Sequence, residues 1–115
     1  MELEEREFLA LADAELGRIE AALEALQESS ECDWDFELKP GGIIELDFAD
    51  GSKIIINRHA AAQEIWLAAK SGGYHFMPPT APGGHWTDTK SGESLAAVLS
   101  RCIGAQAGTM PQLAW

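Results

Sequence analysis

The chain is poor in what covalent catalysis or membrane insertion would need. Cysteine stands only at positions 32 and 102, without C-x-x-C spacing, so Cys32 and Cys102 are expected to be reduced and mainly structural. There is no Ser-His-Asp or Cys-His arrangement, no phosphate-binding loop and no Rossmann glycine pattern. No apolar run is long enough to span a bilayer, and Met1-Glu2-Leu3-Glu4-Glu5-Arg6 lacks the basic and apolar regions of a signal peptide. A cytoplasmic protein is the expectation. Positive charge is scarce as well: 8 Lys and Arg stand against 19 Asp and Glu, for a net charge of −11 and a pI near 4.5. A field of that sign repels nucleic-acid phosphates and anionic membranes and draws in cations and basic protein patches.

The 115 residues and 46% hydrophobic content fit one domain, residues 1–115, with one core and no linker-like break. From about residue 3 to 28, Phe8, Leu9, Ala12, Leu16, Ile19, Leu23 and Leu26 recur at steps of three and four, the stripe of an amphipathic helix. Gly17 falls on its solvent side, where it costs about 1 kcal/mol relative to Ala.

A sheet is expected over about residues 33–89. Asp33, Asp35 and Glu37 alternate with Trp34, Phe36 and Leu38, which assigns the acids to water and the apolar residues to the core. After Pro40-Gly41-Gly42, Ile44, Leu46 and Phe48 face inward and Ile43, Glu45 and Asp47 outward. Asp50-Gly51 signals a hairpin with a type I′ turn, which needs positive φ at both central residues. Ile54 and Ile56 are then the inner pair of the third strand, and Ile65 and Leu67 of the fourth. The same period points Trp66 away from the core, beside Ile55 and Asn57. A large aromatic so placed reads as a contact surface, unless the register is shifted and Trp66 belongs to the core. Short strands at Tyr74–Met77 and His85–Thr89 flank the proline loop from Pro78 to Gly84.

A second helix is expected over about residues 92–106, with Ser91 as N-cap, Glu93 in the first turn and Leu95, Val98, Leu99, Cys102 and Ile103 as its buried stripe. In the tail, residues 108–115, Met110, Leu113 and Trp115 either hang loose or cover the groove between the helices. The fold class is α+β: two terminal helices on one face of an antiparallel sheet of about six strands.

Arg18 and Lys39 bracket a stretch with no cation at all, in which Glu20, Glu24, Glu28, Glu31, Asp33, Asp35 and Glu37 all fall. Glu20, Glu24 and Glu28 lie one helical turn apart, a spacing at which like charges cost a few tenths of a kcal/mol per pair. Joined by a short link, the helical row and the strand row form one negative ridge. As hard oxygen ligands without imidazole or thiolate clamps, the acids suit weak, multi-site binding of hard or borderline cations. They also suit a plain solvated face.

GSKIIINR at positions 51–58, WLAAKSGGYHF at 66–76 and WTDTKSGE at 86–93 resemble the bacterial frataxins, the CyaY proteins, and the likeness runs in order from Glu7 to about Ala107. It implies the sandwich fold and iron, Fe(II) or Fe(III), weakly bound on the ridge; other divalent cations also fit such a donor set. The matching positions are Glu20, Glu24, Asp33, Asp35 and Glu37, with Glu28 and Glu31 in a looser segment. The resemblance further implies partners: a cysteine desulfurase, met by the ridge at Glu24 and Asp33, and the desulfurase–scaffold assembly, met by the sheet at Asn57 and Trp66. It implies a regulator of iron–sulfur cluster assembly, monomeric unless metal drives oligomers, and not an enzyme beyond weak ferroxidase-type activity. Ala21, Ala25 and Gln27 stand where other members carry carboxylates, and the Pro78–Gly84 loop is longer than usual. A metal-independent acidic module that inhibits a basic partner would use the same residues.

Overall fold

Five side chains on one stripe of the first helix decide where the core lies: Phe8, Ala12, Leu16, Ile19 and Leu23 are buried on α1 (Glu5–Ser29). The computed structural model describes residues 3–29, 33–108, 111 and 113–115. After α1 come β1 (Asp35–Lys39), β2 (Ile43–Asp47), β3 (Lys53–His59), β4 (Glu64–Ala69), β5 (Gly72–Met77), β6 (Thr87–Asp88) and α2 (Leu95–Ala107). The strands pair in chain order, each antiparallel to the next. Ile44, Leu46, Ile54, Ile56, Ile65, Leu67 and Phe76 meet the α1 stripe and the α2 stripe of Leu95, Val98, Leu99, Cys102 and Ile103 in one core. Burying each large aliphatic contributes about 1.5–3 kcal/mol, so both helices are held to the same sheet face and the other face is left open.

Two ties set the register of α1 on the sheet. Arg58 of β3 pairs with Asp13, and the Gln63 side chain exchanges hydrogen bonds with the Leu3 backbone. Arg58 also explains Gly42: a Cβ there would lie 2.6 Å from the Arg58 side chain, at φ 76°.

Several expectations need correction. Asp50 is not in the left-handed region; only Gly51 is, at φ 86°, and the loop closes through Gly51 N–H to the Phe48 carbonyl at 3.0 Å. This is the longer hairpin loop that ends in a left-handed glycine, and the Asp50 carboxylate instead accepts from Ser52 N–H and Oγ–H. α2 is capped by Ser94, whose Oγ accepts from Ala97 N–H at 3.2 Å, not by Ser91, which donates to Asp88. Glu93 therefore precedes the helix and pairs with Arg101 at 2.6 Å. Leu38, expected inside, is 50% exposed, because β1 is an edge strand and Gly17 on the neighbouring stretch of α1 offers no side chain to cover it. Glu45, expected in water, is buried beneath Lys39 and Lys53. β3 runs through His59, and the sixth strand, expected over His85–Thr89, shrinks to Thr87–Asp88.

Of the tail, Leu113 and Trp115 pack on the core, with Leu113 N–H donating to Ser100 Oγ and Trp115 Nε1–H to Glu15 Oε2; Met110 lies outside the described residues. Burial pushes the Cys102 thiol up, away from the reactive thiolate. Cys32 also lies outside the described residues.

Candidate functional site

The ridge follows from the way α1 and β1 run side by side in opposite directions. Gln27 Nε2–H donates to the Trp34 carbonyl at 3.0 Å, tying the last turns of α1 to the approach of β1. At the other end Leu16, Gly17 and Glu20 share a groove with Leu38, Lys39 and Ile44. Seven helical residues and four strand residues advance about 10 and 13 Å, so the two segments match in length. Glu20, Glu24 and Glu28 thus line the helix side of the β1 edge. Asp35 and Glu37 line its open-face side, since Phe36 between them turns to the core.

Glu24, Glu28, Asp33, Asp35 and Glu37 are exposed and Glu20 is partly so. None of the six makes an ion pair among the described residues, while every Lys and Arg except Lys90 is engaged with an acid elsewhere. Glu31 lies outside the described residues. The strand register brings two more acids beside the ridge, because Asp35 faces Asp47 and Glu37 faces Glu45 across the β1–β2 ladder. Like charges so opposed destabilise. Lys53 relieves the β2 half, 3.1 Å from Asp47 and 3.6 Å from Glu45, and those acids hold its ammonium above the usual lysine range. Glu45 and Asp47 are neighbours of the ridge that the one-dimensional run of acids did not reveal; only the pairing of β1 with β2 joins them to it.

Among the described residues no three His, Cys, Asp or Glu side chains converge closely enough to hold an ion. The donor set is hard oxygen, open to water and unclamped, which fits loosely held hydrated cations and does not fit an enclosed centre.

On the open face, the register places Trp66 opposite Asn57 on β3 and His75 on β5. Trp66 is therefore outside the core, but it is half-buried, because His59 and His75 stack on its two faces. Asn57 Nδ2–H donates to the Arg58 carbonyl at 3.2 Å. The two rings and Glu64, which accepts from the Trp66 indole, were missed by the sequence reading. Their signal was the spacing of Glu64 and Trp66 on one face, which acquires meaning only with the cross-strand partners known. No helix among the described residues is long and apolar enough to cross a membrane.

The sequence model of the frataxin-like domain matches residues 1–109. Iron–sulfur cluster assembly proteins CyaY of Dechloromonas aromatica and Cupriavidus pinatubonensis are 49% and 50% identical to this chain, covering 92% and 91% of it and 94% and 91% of their own lengths. Among solved structures, the frataxin of Psychromonas ingrahamii matches with a TM-score of 0.80 at 28% identity, over 98% of this chain and 100% of that one. Trimeric frataxin from the yeast Saccharomyces cerevisiae, complexed with ferrous, matches at 0.68 and 26% identity, over 95% and 90%. With the family model matched over residues 1–109, relatives near 50% identity over nine-tenths of the chain and a shared fold, it belongs to the frataxin family, among the bacterial CyaY proteins.

Proposed function

We propose that this chain is an accessory protein of iron–sulfur cluster assembly in the cytoplasm, working as a monomer. It carries ferrous or ferric iron as loosely held cargo on the ridge of Glu20, Glu24, Glu28, Glu31, Asp33, Asp35 and Glu37. It docks on a cysteine desulfurase and its scaffold protein through Glu24 and Asp33 on the ridge and Asn57 and Trp66 on the open face. The role in cluster assembly is supported by the names of relatives near 50% identity, and iron by the ferrous complex of the yeast relative.

The observation that carries the reading is that every lysine and arginine but Lys90 is paired elsewhere and the ridge acids among the described residues are left bare. A bare row of carboxylates gains free energy when an external positive group settles on it, whether a metal ion or an arginine-rich surface. Long-range attraction speeds encounter and an aromatic on the open face anchors the complex. The names of the relatives, cluster assembly proteins, support regulator over catalyst.

The lack of converging ligands among the described residues favours one alternative, a metal-independent module in which the acids only dock a basic partner. Anaerobic titration of a bacterial desulfurase–scaffold complex with this protein, with and without ferrous iron, separates the two by the rate of sulfide release. An iron-dependent change in rate that Asp33→Asn with Asp35→Asn abolishes supports the iron reading. A change that is the same with and without iron supports the module, and no change sinks both.

A further inference from the structure

Trp66 is held on three sides. The His59 ring lies against one face of the indole with centroids 3.9 Å apart and planes within 15°; the His75 ring lies against the other at 4.6 Å and 11°. At the edge, Trp66 Nε1–H donates to Glu64 Oε1 at 2.8 Å, and the same oxygen is 3.3 Å from His75 Nδ1. The three rings sit on three adjacent strands, so the sheet register fixes the stack.

The two histidines differ in what a proton would do to them. His59 Nδ1 accepts from Ala62 N–H at 3.2 Å, which puts the ring proton on Nε2, and a second proton on Nδ1 would cost that bond. His75 Nδ1 faces a carboxylate oxygen, so a proton there creates an ion pair and places a cation on the indole face. Asp88, Lys90 and Tyr74 share a cavity with His75. Of these, Asp88 is committed to Lys90 N–H and Ser91 Oγ–H, and the Tyr74 hydroxyl to Ser71. Glu64 is the acid that His75 contacts.

We propose that Glu64, His59 and His75 are positioning residues that hold the Trp66 indole as a preassembled wedge for an apolar slot on a protein partner, and that the charge on His75 sets how firmly it is held. The inference rests on the reading of Trp66 as a docking residue. It goes further in naming the partner's chemistry: the indole N–H is already taken by a carboxylate, so the slot needs no acceptor for it. What the ring offers is its apolar rim, beside the exposed Ile55. A rigid ring also loses less conformational freedom on docking.

The test follows the Trp66 indole ¹H–¹⁵N signal of the full chain, assigned with Trp66→Phe, from about pH 8 to about pH 5, the range in which histidine changes charge. The signal should titrate in the wild type and in His59→Gln, stay flat in His75→Gln, and lie upfield throughout in Glu64→Gln. Affinity for a purified bacterial desulfurase–scaffold complex should rise toward the acid end by about threefold more in the wild type than in His75→Gln, the size of one exposed cation–π contact. A flat wild-type signal, or a titration that persists in His75→Gln, overturns the clamp even if Trp66→Ala weakens docking. A normal indole titration with docking indifferent to Trp66→Ala overturns the wedge through the docking reading instead.

Discussion

Glu15 and Glu20 stand five residues apart on α1 and are treated in opposite ways. Glu15 is 4% exposed and fully used, accepting from Arg18 Nε–H at 3.0 Å and from Trp115 Nε1–H at 2.8 Å. Glu20 and, beyond it, Glu24 and Glu28 have no ion-pair partner among the described residues, nor do Asp33, Asp35 and Glu37. The fold can thus satisfy a carboxylate where it serves packing, and the bare edge is not the result of a chain unable to pair its charges. Half-buried Glu64 falls between the extremes, bound to a neighbouring indole and imidazole and still reachable by solvent.

Removing the used carboxylate should have the largest effect. Glu15→Ala strands a half-buried indole N–H, leaves Arg18 without its partner and loosens the attachment of residues 113–115 to α1, for a loss of about 2 kcal/mol and about 8 °C in Tm. Thermal unfolding with Glu15→Gln alongside is the check, since the amide can still accept; an unchanged Tm for Glu15→Ala would erase the contrast. Neutralising the bare carboxylates should act in the other direction. Glu20→Gln, Glu24→Gln, Asp33→Asn and Asp35→Asn together should stabilise by about 1 kcal/mol in metal-free, low-salt buffer, a few tenths per relieved pair, and the gain should fade as salt screens it. A lower or unmoved Tm would mean that the ridge is not strained.

The smallest effect belongs to an exposed pair. Arg101 beside Glu93 holds that carboxyl below the usual glutamate range. A pKa lowered on folding gives stability that is present above the unfolded value and lost as pH falls through the folded one. Glu93→Gln should therefore lower the urea midpoint slightly at neutral pH and flatten its fall below about pH 4.3, so that variant and wild type converge at the acid end. An acid limb identical to the wild type would show that the Glu93–Arg101 pair contributes nothing there.

What the chain alone determined is what depends on local period and on charge counted along it. Steps of three and four marked the stripes of α1 and α2, alternation assigned the inner residues of β2, β3 and β4 and turned Trp66 outward, and the lack of any cation between Arg18 and Lys39 exposed the acidic run. Tertiary structure decided the rest, because it turns on partners distant in sequence. Leu38 is exposed for want of a side chain at Gly17, Glu45 is buried because Lys39 and Lys53 reach over it, and His59 and His75 flank Trp66 only through the β3–β4–β5 register. Periodicity tells a residue which face it occupies. What it touches there is settled by the strand next door, whose identity and register carry no local signal.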